Sequence, residues 1–64
     1  MTAADFAAFV TLCKERHHWS AAELSRRLGC GRNMIAEWQR KDPPKYIGLA
    51  CSALVFPLPE WKSV

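Results

Sequence analysis

The chain has 64 residues, 50% of them hydrophobic, with a formal net charge of +3 and a pI near 9.0. That length excludes a second domain, and a domain so small buries only about 60% of the surface its unfolded chain exposes. No apolar run reaches the ~20 residues of a membrane-spanning helix. The opening MTAADFAAFV carries an acid and no basic leader, so neither a signal peptide nor a membrane anchor is read here.

The charge is unevenly placed. Residues 1–19 balance Lys14 and Arg16 against Asp5 and Glu15, and residues 46–64 balance Lys62 against Glu60. The whole excess therefore lies in residues 20–45. There Arg26, Arg27, Arg32, Arg40, Lys41 and Lys45 face only Glu23, Glu37 and Asp42. A localised basic excess attracts polyanions, nucleic acid above all. Three cysteines cannot all pair within one chain, so a reducing, cytoplasmic compartment is expected.

The elements follow in chain order. Thr2 is a helix cap with Asp5 in the first turn. Phe6, Phe9, Val10, Cys13 and His17 recur at helical spacing, which predicts a first helix over residues 3–17. Ser20-Ala-Ala-Glu23 has the capping-box pattern and opens a second helix to Leu28. Gly29 closes it, as suits a left-handed terminus. Gly31 is the side-chain-free cap of a third helix running to about Arg40, with Met34, Ile35 and Trp38 inward and Arg32, Asn33, Ala36, Glu37 and Arg40 outward. Pro43-Pro44 ends it, and Pro44 is expected in the first turn of a fourth helix. In YIGLACSALVF one side carries Ile47, Ala50, Cys51 and Leu54, and another Tyr46, Leu49, Ala53 and Phe56. A helix apolar nearly all round must be covered nearly all round. The second side therefore requires the proline-rich tail, residues 57–64 with Trp61 as its anchor, or a second chain. The dimer contact is expected from Leu49, Ala53, Phe56, Leu58 and Trp61, in a two-fold homodimer.

Two helices joined by a three-residue glycine turn, the second polar outside, form a helix-turn-helix. The segment resembles the phage Cro/repressor-type, or xenobiotic-response-element, family through Ser20, Glu23-Leu24, Ser25, Leu28-Gly29, Cys30, Ile35 and Trp38. Three features depart from its pattern: Ala21 where glutamine is common, Gly31 where serine or threonine caps, and the tail in place of a fifth helix. PPKYIGLACSAL is similar to the last helix of very small phage and mobile-element regulators. The resemblance implies an all-α, four-helix lambda-repressor-like bundle over residues 1–56 that binds double-stranded DNA, with an inverted repeat as its site. Arg32, Asn33, Ala36 and Glu37 are then base readers. Arginine suits guanine, asparagine adenine, and glutamate the cytosine amino group, while Ala36 permits close approach. Ser20, Arg26, Arg27, Arg40, Lys41 and Lys45 are the phosphate contacts.

Other chemistries lack a pattern. Cys13, Cys30, Cys51, His17 and His18 have no metal-ligand spacing, so no metal or cofactor is expected. Neither histidine has a catalytic partner at an informative spacing, so no enzyme is expected. The competing reading is a protein-interaction module, a small inhibitor or adaptor, that keeps the fold without binding DNA.

Overall fold

A computed structural model describes residues 1–63. Over these residues the protein is all-helical: α1 (Ala3–His17), α2 (Ala21–Leu28), α3 (Arg32–Glu37) and α4 (Lys45–Val55). None of these helices is long and apolar enough to cross a membrane. α2 is the hub, making its most extensive contact with α3 and further contacts with α4 and α1.

Local chemistry sets most of the helix ends. The Asp5 amide donates to Thr2 Oγ1 (3.1 Å) and the Thr2 amide to Asp5 Oδ2 (2.9 Å), a reciprocal capping box that occupies two otherwise orphaned donors. Donation to the carboxylate from the Thr2 amide, and after it from the Thr2 side chain, holds Asp5 below its ordinary value. At the far end His18 adopts φ 58°, a left-handed conformation uncommon outside glycine. It reverses the chain so that the Trp19 amide reaches Cys13 O. α2 ends by the expected route: Gly29 has φ 74°, and the Gly29 and Cys30 amides both donate to Ser25 O.

Two boundaries differ from the sequence reading. The regular part of α3 stops at Glu37 rather than near Arg40. Beyond it the Gln39 amide donates to Ala36 O and the Arg40 amide to Glu37 O. These i→i+3 bonds tighten the chain into turns ahead of Pro43, which is buried. Pro44 is the N-cap of α4 rather than a first-turn residue, because its ψ of 154° is extended. A long-range bond ties this junction down. The Ala3 amide, at the start of α1, donates to Asp42 Oδ1 at 2.8 Å.

The core is Phe6, Phe9, Cys13, Leu24, Ile35, Trp38, Ile47 and Cys51. Phe6 is fully buried and meets Trp38 edge-on, with ring centroids 5.7 Å apart at 84°. The buried Ser25 hydroxyl donates to Ala22 O at 2.8 Å, so the close helix packing at this position strands no polar group. α4 turns Ile47 and Cys51 inward, as expected, and leaves Tyr46, Leu49 and Phe56 exposed. The tail corrects the expectation placed on Trp61, which does not anchor it to the chain's own core. Trp61 is 88% and Leu58 63% exposed. The two prolines fix their own φ, and Pro59 restricts Leu58 to extended backbone. Pro59 and Glu60 border Arg27, Ala50 and Leu54, while the Trp61 ring beyond them stands in solvent.

Phe6→Ala is expected to destabilise the fold by about 3–5 kcal/mol, which leaves a domain of this size largely unfolded. Trp61→Ala is expected to leave the midpoint of a dilute monomer unchanged. Urea titration followed by helical circular dichroism checks both.

Candidate functional site

The outward side of α3 is fixed by what its inward side buries. Ile35 is 2% and Trp38 6% exposed. Residues 32, 33 and 36 are therefore carried to the opposite side by helical geometry, and Arg32, Asn33 and Ala36 are all exposed. The three line one open depression of about 500 Å³ together with Ala21, Ile35 and Gln39. Ala21 and Ala36 leave room in it for close approach, while Arg32, Asn33 and Gln39 put donors and acceptors around it. The Gln39 amide nitrogen donates to Ile35 O at 2.9 Å, which orients its side chain. Glu37 is partly buried and is not among the residues that line the depression.

Ser20 accepts from the Glu23 amide at 3.2 Å, which caps α2 and leaves the hydroxyl proton for an outside acceptor. Glu23 does not reach back to the cap. Its two oxygens take Arg26 (2.7 Å) and Arg27 (3.1 Å) instead, and pairing with Arg26, before the pull of Arg27, lowers its pKa. A carboxylate bonded to two guanidiniums is better satisfied than one returning to a single amide.

The remaining cations divide by position. Arg26 is exposed beside Glu23, and Arg40 and Lys41 are exposed in the turns after α3. Lys45, at the start of α4, borders a different depression with Asp5 and Met1. Arg27 stands apart, because its guanidinium lies 4.2 Å from the centroid of Trp19. His17 also stacks on Trp19, 4.4 Å away. Arg27 thus lines a groove beside the end of α4 rather than the α3 depression. The structure therefore brings together Arg32, Asn33 and Ala36, and it separates Arg27 and Lys45 from them. Sequence reasoning missed Gln39 as a neighbour of the depression and Asp42 as the acceptor for α1. The i+4 spacing of Gln39 from Ile35 was a usable signal, whereas the Asp42 bond joins residues far apart in sequence.

The cysteines belong to the packing. Burial raises the Cys13 and Cys30 thiols, and burial followed by the nearby thiols pushes Cys51 up to about 11. All three are protonated at neutral pH, the unreactive form. Among the described residues no group of three or more histidine, cysteine or acidic side chains is placed to hold a metal ion.

The lowered pKa of Glu23 makes the start of α2 sensitive to acid. Its contribution is present above the ordinary carboxylate value of 4.5 and is lost as pH falls through the depressed folded value. Thermal melts from neutral pH down to about pH 3 are expected to show a smaller acid-induced fall for Glu23→Gln than for the wild type. Ser20→Ala is expected to cost about 1 kcal/mol at every pH.

Compared with known proteins, the chain matches no family model, no curated protein and no solved structure.

Proposed function

We propose that the protein is a sequence-specific double-stranded DNA-binding regulator. In this reading α2, the Gly29–Gly31 turn and α3 are the helix-turn-helix of a small lambda-repressor-like bundle. It is a cytoplasmic repressor of the kind phages and mobile elements carry, and it acts by occupying a promoter. The observation that carries the reading is the placement of Arg32, Asn33 and Ala36 on one exposed side of a helix whose other side is locked by Ile35 and Trp38. A rigid backing with polar groups outward is what reading base edges in a major groove requires.

The charge arrangement supports it. Asp42, which sits between Lys41 and Lys45 in sequence, is bonded to the Ala3 amide. Arg32, Arg40, Lys41 and Lys45 are exposed. Arg26 shares its charge with Glu23, so its phosphate role requires the pair to open or to bind as a unit. Glu37, partly buried, is the weakest of the four proposed base readers. A two-fold dimer on an inverted repeat places two copies of α3 about 34 Å apart, in successive major grooves.

One observation favours a second reading. Tyr46, Leu49, Phe56 and Leu58 are each more than 60% exposed, more apolar surface than a DNA contact uses. They would serve a protein-interaction module equally well.

Selection of bound sequences from a random DNA pool separates the two. The DNA reading predicts an enriched inverted repeat and an affinity that falls steeply with salt. An interaction module enriches no sequence. Arg32→Ala is expected to lower specific affinity by about 1–3 kcal/mol and relax preference at one base pair per half-site, whereas Lys45→Ala weakens all sequences alike and shallows the salt slope by about one unit. Phe56→Glu is expected to yield monomers that lose operator affinity far more than non-specific affinity. Titrations against the selected site and a scrambled duplex, at several salt concentrations, check all three.

A further inference from the structure

Gln39 lies just beyond the regular end of α3. It is exposed and lines the same depression as Arg32, Asn33 and Ala36. Its backbone amide donates to Ala36 O at 3.3 Å and its side-chain amide to Ile35 O at 2.9 Å. A carbonyl only accepts, so the side-chain atom that faces Ile35 O must be the nitrogen. The amide is thereby held in one orientation, and Ile35, which holds it, is part of the core. That bond uses one hydrogen of the nitrogen. The other hydrogen and Oε1 are left for an outside partner.

A donor beside an acceptor selects its partner by chemistry. A phosphate oxygen only accepts, so it takes the N–H and leaves Oε1 facing a negative group. A base edge that itself carries an acceptor beside a donor satisfies both atoms. In the major groove guanine shows two acceptors, cytosine a donor, and thymine an acceptor and a methyl group. Adenine alone shows the acceptor N7 beside the donor N6. We propose that Gln39 is a further base reader, specific for adenine, donating to N7 and accepting from the N6 amino group.

The floor of the depression agrees with an A·T pair. Ala21, Ile35 and Ala36 are its apolar lining, and the thymine paired with adenine carries its methyl in the same groove. The base pair is distinct from the one Arg32 reads. Gln39 follows Arg32 by seven positions, roughly 10 Å along a helix, and base pairs succeed one another about every 3.4 Å. Gln39 therefore reaches about three steps along the groove from the base assigned to Arg32.

This inference rests on the DNA reading, and its test separates the two. Bound sequences are selected from a random duplex pool by wild type, Arg32→Ala, Gln39→Ala and Gln39→Lys, with helical circular dichroism on each protein. Lysine can also donate to Ile35 O, so Gln39→Lys keeps the end of α3 held if Gln39→Ala loosens it. Wild type is expected to prefer adenine at least about fivefold at one base pair per half-site, a preference that Arg32→Ala leaves in place. Gln39→Ala is expected to lose that preference and keep the others. Gln39→Lys offers donors only and is expected to turn it toward guanine, whose N7 and O6 both accept. An enriched motif that both Gln39 variants leave unchanged overturns the role of Gln39 and leaves the DNA reading standing. Preference that falls at every base pair together in both variants overturns it as well, because Gln39 then only supports α3. A loss confined to a G·C pair overturns the assignment to adenine. A wild type that enriches no sequence overturns the inference together with the DNA reading.

Discussion

The edge-to-face contact of Phe6 on Trp38 is the constraint on which the outward face of α3 depends. α3 has six residues, too few to be stable alone. Its direction is imposed by Ile35 against the core and by Trp38 against a ring from α1. Once those two point inward, Arg32, Asn33 and Ala36 have no choice of side. The contact therefore converts a hydrophobic preference into the orientation of a polar surface. Edge-on aromatic pairs add about 0.5–1.5 kcal/mol beyond the area they bury, which matters in a core of eight side chains.

Much of the architecture was legible because its determinants are local. Thr2 with Asp5, Ser20 at the start of α2 and Gly29 at its end are signals within a few residues of what they control, and each acts where expected. The inward sides of α1 and α4 followed from helical spacing. What was not legible depends on groups brought together by the fold. Glu23 read as half of a capping box because only Ser20 was considered, yet two arginines on the next turn compete for it and win. Trp61 read as an anchor because a large ring near a terminus usually finds a core. The tail's prolines are legible in the sequence, and the exposure of the ring beyond them is not.

The candidate site divides in the same way. The grouping of Arg32, Asn33 and Ala36 follows from periodicity, and the depression they share confirms their proximity. The cations do not sort by sequence, because charge counting treats each as free. Arg27 has an aromatic surface as well as a carboxylate to satisfy it, so its position reflects Trp19 as much as any external anion. Lys45 is separated from α3 by the turn that Pro43 and Pro44 impose.

The bond from the Ala3 amide to Asp42 joins the first turn of α1 to the strip of chain that delivers α4. A helix start leaves its first amides without a partner in the helix, and here one of them is taken by a carboxylate from the strip that precedes α4. The bond thus bridges two segments 39 positions apart. The acid that ends one loop therefore serves as a cap for a helix elsewhere in the chain, so a substitution at Asp42 is felt at the start of α1.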